Sequence, residues 1–139
     1  MLMCSVMQMD EIPLGSQMRR LIRDELTKPG SDFHHAVATK TDGLIAFVMD
    51  DDVVIGWART EKWHDGNGIP YDTLEAFVRP ERRLQGIAAF AAAGLYSAAL
   101  HDEGCTVAVF SPYMMLVARR VGLFPALFER DGNGYWRRA

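Results

Sequence analysis

Residues Asp72 to Asp102 read DTLEAFVRPERRLQGIAAFAAAGLYSAALHD, and this stretch decides the fold. Its first part, residues 72–78, carries β-favouring side chains in alternation, which predicts a strand. Pro80 cannot donate a backbone hydrogen bond to a sheet, so the strand ends there. From Ile87 to Leu100 the composition is alanine-rich and apolar residues recur at helical spacing, which predicts an amphipathic helix.

The loop between this strand and this helix has features that suit an anion. The first amides of a helix lack partners within the helix and lie at the positive end of its dipole. Gly86, at the helix entry, has no side chain to hold a ligand away from the backbone. Positive charge is added by Arg79, Arg82 and Arg83. The loop therefore favours a phosphate or pyrophosphate, and the alternative is a plain connection with solvated arginines.

The composition is that of an ordinary globular protein: 139 residues, 49% hydrophobic and 24% charged. This length predicts a single domain over residues 1–139. A net charge of −3 argues against general nucleic-acid binding, which usually requires a basic surface. Cys4 and Cys105 do not form a disulfide framework, which favours a reducing, cytoplasmic location. Neither a signal peptide nor a membrane-spanning run is expected from the sequence.

Upstream of residue 72, the sequence predicts a strand, helices and a hairpin. The strand covers residues 2–7, and an apolar stripe from Ser16 to about Thr27 predicts a helix. The next segment is either a short helix from Phe33 to about Thr41 or a strand from His35 to Thr39. Apolar runs at 44–49 and 53–63 flank three aspartates, which is a hairpin signal.

Downstream, the apolar run at residues 105–110 predicts a buried strand. A strand–helix–strand unit of this length implies a right-handed crossover, so strands 72–78 and 105–110 are expected to lie parallel. The remaining predicted elements are a helix from Tyr113 to about Val121, begun by Ser111 and Pro112 and ended by Gly122, and a hairpin of residues 126–129 with 135–138.

A metal site is not predicted. The adjacent His34 and His35 lack a matching pair of ligands at metal-binding spacing elsewhere in the sequence. The aspartate triplet at 50–52 lacks the glycine and the distal glutamate of a calcium-binding loop.

The six residues from Arg83 to Ala88, RLQGIA, resemble the Arg/Gln-x-x-Gly-x-Gly/Ala motif of the GNAT superfamily of N-acetyltransferases. As in that family, the motif follows a strand that ends in apolar residues and opens a long helix. The order of all the predicted elements also resembles the GNAT fold, so the resemblance covers nearly the whole chain. It implies an α/β fold of the α+β type, with a mixed central sheet and flanking helices. In it, the parallel strands 72–78 and 105–110 splay apart.

The resemblance implies acetyl-CoA as co-substrate and no metal. The pantetheine arm of CoA would enter the gap between the splayed strands as if it were another strand, and the backbone of Phe77 and Val78 would pair with it. Residues 107–111 would form the opposite wall. The residues implied in CoA binding are Phe77, Val78, Arg79, Arg83, Leu84, Gln85, Gly86, Ile87, Ala88 and Ser111.

Acetyl transfer from a thioester to an amine requires a deprotonated amine, a stabilised oxyanion and a protonated leaving thiolate. Many GNAT members use a carboxylate of the central strand as the base. Counting back from the apolar end of the strand places Asp72 at that position. Glu75 would lie on the opposite face of a regular strand and is the second candidate, and His64 in the preceding loop is the third.

The general acid departs from the family pattern. GNAT members commonly have a tyrosine four residues before the glycine that ends the last helix. Here that glycine resembles Gly122, and the tyrosine position is Ala118. Tyr113 and Ser111, at the start of the same helix, are the alternatives that would reach the sulfur, and water is another proton source.

The resemblance implies an acetyl-CoA-dependent N-acetyltransferase that acts on a primary amine of a protein or a small molecule. The absent tyrosine favours an alternative, a non-catalytic acyl-CoA-binding protein that acts through contact with another protein. A nucleotide-binding regulator using the arginine loop is a third reading. The acidic hairpin would suit a cationic acceptor, and Trp57, Trp63 and Tyr71 are candidates to line an acceptor pocket. Neither a nucleic acid nor a membrane is expected as a partner, and a homodimer is left open.

Overall fold

The computed structural model describes residues 1–8, 11, 43–64, 67–100, 106–134 and 136–139. The helix predicted from Ser16 to Thr27 and the helix or strand predicted between residues 33 and 41 lie outside the described residues. The same is true of Cys105 and of the two adjacent histidines.

The described residues form two sheets and two α-helices. The strands are β1 (Leu2–Gln8), β2 (Leu44–Asp50), β3 (Val53–Thr60), β4 (Lys62–His64), β5 (Pro70–Thr73), β6 (Glu75–Val78), β7 (Thr106–Val109), β8 (Pro125–Arg130) and β9 (Trp136–Arg138). The helices are α1 (Ile87–Leu95) and α2 (Pro112–Arg120). One sheet has the strand order β1-β2-β3-β6, and the other has the order β4-β5-β7-β8-β9.

The predicted hairpin is confirmed, with β2 and β3 antiparallel and Asp50 opposite Val53. Asp51 in the turn adopts a φ of 53°, which tight hairpin turns require and which aspartate tolerates. The predicted second strand, 53–63, is divided in the structure. Its last part, β4, pairs with β5 in the other sheet, because the chain leaves the first sheet at Glu61.

The strand predicted over residues 72–78 is also divided, at Leu74, into β5 and β6. β5 pairs in parallel with β7, and the last hydrogen bond between the two chain segments runs from the Leu74 N–H to the Ala108 carbonyl at 3.0 Å. β6 turns away and pairs antiparallel with β3. The parallel strands therefore part after Leu74, which confirms the predicted splay.

Helix α1 packs on one face of the first sheet and shares a hydrophobic core with it and with α2. The small residues Ala88, Ala91 and Ala92 are buried there, which lets the helix lie close to the sheet. A Cβ added at Gly94 would lie 2.8 Å from the Cys4 sulfur, so β1 approaches the helix closely. The regular α-helix ends at Leu95, earlier than predicted, and continues as a π-helical turn to Leu100.

Helix α2 begins and ends as predicted. The Ser111 hydroxyl accepts a hydrogen bond from the Met114 N–H at 3.2 Å, and Pro112 is the first helical residue. Gly122 follows the helix with a φ of 90°, and the Leu123 N–H then donates to the Ala118 carbonyl at 3.0 Å. The terminal hairpin of β8 and β9 is also confirmed. Within the described ranges, no helix is long and apolar enough to cross a membrane.

Candidate active site

The gap between β6 and β7 is lined by a definite set of backbone groups. The N–H groups of Thr73 and Arg79 donate to β3 and its extension, to Glu61 and Ile55, both at 2.9 Å. In an antiparallel pair, alternate residues direct their backbone groups to the same neighbouring strand. Phe77 is an even number of residues from both Thr73 and Arg79, so its backbone groups also face β3. The backbone groups of Ala76 and Val78 face away from β3 and into the gap.

This register changes one part of the sequence-based site. The prediction that the backbone of Phe77 pairs with a pantetheine arm is not supported, because those groups are directed to Trp57 in β3. The backbone groups that face the gap are those of Val78 and Ala76. The sequence predicts that alternate residues of a strand direct their backbone groups to opposite sides. Which residues of β6 face the gap depends on the pairing with β3, which the sequence did not show.

Two arginines of the loop after β6 are held against the sheet. Arg79 Nε donates to the Val54 carbonyl at 2.6 Å. Arg83 Nε donates to the Val78 carbonyl at 3.0 Å, and its guanidinium lies 5.8 Å from the centre of the Phe77 ring. The charge of Arg83 is thus fixed on the gap side of β6, and that of Arg79 is held against β3.

Arg82 pairs with the first hairpin. Its Nη1 lies 2.9 Å from Asp50 Oδ2, and its Nε donates to Gln85 Oε1 at 3.2 Å. Hydrogen bonds from Arg82 and from the N-terminal ammonium lower the pKa of Asp50 below its usual range. Since both partners are partly exposed, this pair fixes the loop's position more than it stabilises the fold.

The entry of α1 presents amides that no side chain caps. Gly86 is the N-cap residue, with a φ of 75°, and the space where its Cβ would stand has no atom within 4 Å. The Phe90 N–H donates to the Gly86 carbonyl at 3.0 Å, so the amides of residues 87–89 come before the first intrahelical bond. Leu84, with its side chain fully exposed, also has a positive φ, of 63°. Turns of this kind direct successive N–H groups towards one point, where an anion binds.

The two candidate carboxylates lie on different faces of the sheets. Asp72 is buried and in register with Val107, which belongs to the core shared with the helices. Glu75 is buried and in register with Arg59 of β3. Register partners place their side chains on the same face, so Asp72 lies on the helix side and Glu75 on the other. Both are within three residues of Leu74, where the strands part.

Glu75 belongs to a buried charged cluster that sequence reasoning missed. Arg59 and Glu61 form an ion pair, and all three side chains are at most 2% exposed. In the part of the chain that the structure describes, neither carboxylate oxygen of Glu75 has a hydrogen-bond partner. Burial raises the pKa of Glu75 to about 8, although the positive charge of Arg59 opposes this. One arginine thus faces two carboxyl groups, and Glu75 is protonated at neutral pH. The signal was a pair of charges, Arg59 and Glu61, inside an apolar run.

This raised pKa has a consequence for stability. The carboxyl group of Glu75 has an ordinary pKa of 4.5 when unfolded and about 8 when folded, so the folded state binds more protons between these values. Stability should therefore fall as pH rises from about 5 to about 8. We expect Glu75→Gln to reduce this fall, measured as Tm against pH, while the exposed control Glu81→Gln keeps it. An equally steep fall in Glu75→Gln would contradict the assignment.

The other predicted catalytic positions are spread around the site. Tyr113 lies on the first turn of α2 and is 57% exposed, while the Ser111 hydroxyl is used as the helix cap. Ala118, at the position of the family tyrosine, is fully buried in the core. His64 is exposed at the end of β4, opposite Pro70, so the structure does not bring it to the point where β6 and β7 part.

The aromatic residues proposed for an acceptor pocket differ in burial. Trp57 is fully buried, with its ring 6.2 Å from that of Phe77, and is therefore part of the core. Tyr71 and Trp63 are only half-buried. The Tyr71 ring stacks on Phe128 at 5.5 Å. Among the described residues, no group of histidine, cysteine, aspartate or glutamate side chains is arranged to hold a metal ion.

No protein-family model matches the sequence, and no curated protein matches it. Solved structures do match the fold. The aminoglycoside N-acetyltransferase AAC(6')-Iy, in complex with CoA, aligns with a TM-score of 0.58 and 24% identity over 89% of this chain and 88% of its own. An aminoglycoside acetyltransferase from an uncultured soil metagenomic sample, in complex with sisomicin, aligns with a TM-score of 0.58 and 12% identity over 87% of each chain.

A third match has a different acceptor in its name. The ribosomal-protein-alanine N-acetyltransferase of Brucella melitensis biovar Abortus 2308 aligns with a TM-score of 0.53 and 11% identity, over 87% of this chain and 88% of its own. At these identities the shared property is the fold. The chain therefore has the mixed α+β fold of the N-acetyltransferases, as the resemblance to the GNAT superfamily predicted.

Proposed function

We propose that this protein transfers the acetyl group of acetyl-CoA to a primary amine of a protein or a small molecule. The observation that carries this proposal is the parting of β6 from β7 after Leu74, followed by the uncapped helix entry at Gly86. The gap offers strand-like backbone to an extended arm, and the helix entry offers amides to a pyrophosphate. The fold shared with N-acetyltransferases, one of them in complex with CoA, supports the same reading.

The cofactor would be held mainly by backbone groups. Ala76 and Val78 would pair with the pantetheine arm, and the amides of residues 84–88 would bind the pyrophosphate. Arg79 and Arg83 would add fixed positive charge, since their hydrogen bonds to the sheet keep them beside the loop. Ser111 would lie on the opposite wall of the gap, after β7.

We propose Asp72 as the general base, which accepts the proton of the amine directly or through a water molecule. The amine nitrogen then attacks the thioester carbon, a C–N bond forms, and the C–S bond breaks with its electron pair left on sulfur. Asp72 is suited to this role because it immediately precedes the point where the strands part. Tyr113 is the candidate acid by sequence, because it begins the helix in which the family carries its tyrosine.

A non-catalytic acyl-CoA-binding protein is the alternative function. The observation that favours it is Ala118, which fills the tyrosine position with a fully buried methyl group. Such a protein would hold CoA with the same backbone groups and release no free thiol. The two functions therefore differ in turnover and not in cofactor binding.

The experiment that separates them measures free CoA thiol while purified protein is incubated with acetyl-CoA and one amine at a time. The panel contains small alkylamines, an arylalkylamine, a lysine-bearing peptide, a peptide with an N-terminal alanine and the aminoglycoside sisomicin. Mass spectrometry of each amine confirms the added acetyl group. Thiol release with at least one amine supports the enzyme. CoA binding by calorimetry, without release for any amine, supports the alternative.

The shared fold does not identify the acceptor amine of this protein. The matching structures are named for aminoglycosides and for a ribosomal-protein alanine, so one fold serves chemically different amines. A cationic acceptor is proposed on the acidic character of the first hairpin, with Asp51 and Asp52 exposed at its turn. The cytoplasmic location, the single domain over residues 1–139 and a homodimer stay predictions from the sequence.

A further inference from the structure

We propose that the side chain of Glu75 supplies the proton taken up by the leaving thiolate of CoA, in place of the family tyrosine, at whose position this chain has Ala118. The inference rests on the proposed acetyl transfer. It gives Glu75 the role of general acid and leaves the role of base to Asp72.

The position of Glu75 in the fold is the first argument. It is the first residue of β6, directly after the Leu74 N–H that makes the last hydrogen bond to β7. An arm that starts at the helix entry and pairs with Val78 and Ala76 runs along β6 towards this residue. The thioester at the end of that arm would then reach the point where the strands meet.

The burial of Glu75 is the second argument. The Glu75 carboxyl group is 1% exposed and has no hydrogen-bond partner among the described residues. Burying such a group costs desolvation free energy that no hydrogen bond offsets, which suggests a functional role. A neutral acid costs far less to bury than a carboxylate. The site therefore favours the form that carries a proton to donate.

The charges around Glu75 agree with this protonated form. Arg59 in β3 is its register partner, but Arg59 is already in an ion pair with Glu61. Arg83 lies over the ring of Phe77, the next residue of β6 on that face. The buried charge of Arg59 is thus matched by the Glu61 carboxylate, and burial outweighs the effect of Arg59 on the pKa of Glu75.

The pKa of Glu75 also lies close to the pKa of the thiol that it would protonate. The pKa of Glu75 is raised to about 8 by burial, which is close to the value of about 8.5 typical of an alkyl thiol. General acids work best when their pKa lies near that of the group they protonate and near the working pH. A carboxyl group with an ordinary pKa would be ionised at neutral pH and would have no proton to donate.

The proton leaves the Glu75 carboxyl oxygen for the CoA sulfur as the C–S bond breaks, which gives the free thiol and a Glu75 carboxylate. Arg59 stabilises this carboxylate until the thiol leaves. Asp72 then releases the proton of the amine to solvent, and Glu75 takes up a proton from solvent in the emptied gap, so both groups return to their starting forms. The proton lost by the amine goes to Asp72, so no oxidant or further co-reactant is needed.

The test is the pH dependence of kcat with an amine identified by thiol release. If Glu75 is the acid, kcat falls as pH rises through about 8, because the group loses its proton. Glu75→Gln should lower kcat by roughly a hundredfold, the usual worth of a general acid, and remove this descending limb, with an unchanged Kd for acetyl-CoA. Glu81→Gln, the same change at an exposed glutamate, is the matched control and should keep the limb. A kcat that rises through pH 8, or a limb that persists in Glu75→Gln, would overturn the proposal.

Two further measurements do not depend on the folding of Glu75→Gln. Glu61→Gln frees Arg59 to pair with Glu75, which should move the descending limb of the Glu61→Gln protein to lower pH. In the unmodified protein, an acetyl thioester of a more acidic thiol needs less protonation, so its kcat should not fall above pH 8. An unmoved limb or an equal fall with both donors would refute the acid role. Absence of thiol release with every amine would instead refute the proposed transferase function.

Discussion

Asp72→Asn is expected to lower turnover by roughly a hundredfold or more, the usual contribution of a general base, while acetyl-CoA binding persists. The substitution keeps the size of the side chain and removes its basic form. Asp72 is buried next to the point where β6 leaves β7, so water has little access to replace it. The measurement is kcat from thiol release, together with Kd for acetyl-CoA from calorimetry.

Asp51→Asn provides the matched control for this result. Asp51 carries the same functional group in the exposed turn between β2 and β3, and asparagine tolerates its positive φ. Its replacement should leave kcat at saturating amine unchanged, with any effect confined to the KM of a cationic amine. If Asp72→Asn, folded and still able to bind acetyl-CoA, retained the full rate, the base would not be Asp72, and bulk water would take the proton of the amine.

Gly86→Val is expected to weaken acetyl-CoA binding by well over tenfold, since the loss of one charge-assisted hydrogen bond is worth about this much. The backbone at Gly86 has a φ of 75°, which a β-branched residue adopts only with strain. The added side chain would also enter the open space in front of the helix amides. Strain that moves the loop and a side chain in the path of the pyrophosphate act in the same direction.

Gly134→Val separates these effects from general destabilisation. Gly134 lies in the turn before β9, has a φ of 83°, and likewise has no atom within 4 Å of its missing Cβ. The strain is of the same kind, but the position is outside the loop before α1. Gly134→Val should lower Tm and keep the Kd for acetyl-CoA. An unchanged Kd in a folded Gly86→Val protein would remove the pyrophosphate assignment.

The sequence was sufficient for elements whose local pattern is strong. The hairpin of β2 and β3, the capped helix α2 and the parallel pairing around α1 follow from turn residues, a Ser-Pro cap and the strand–helix–strand order. The break at Leu74 was not visible, because Leu74 fits the alternation on both sides. The strand is divided because the residues before Leu74 pair with β7 and the residues after it pair with β3.

Of the candidate site, the sequence indicated the features that are local in the chain and missed those that depend on pairing between distant strands. Gly86 and the loop arginines are local features, so the anion-binding prediction needed no tertiary information. The choice of Ala76 over Phe77 depends on which backbone groups β3 already uses. The raised pKa of Glu75 depends on its burial, which outweighs the opposing charge of Arg59, a residue that the sequence places well before it. Long-range pairing therefore accounts for what the sequence did not show.

The central claim is that an extended CoA arm pairs with β6 in the gap left by β7. Amide hydrogen exchange, resolved by residue, with and without acetyl-CoA tests it most directly. The claim predicts slower exchange at the N–H groups of Ala76 and Val78, which face the gap, and little change at Phe77, whose N–H already faces β3. Unchanged exchange at Ala76 and Val78 under saturating acetyl-CoA would contradict it.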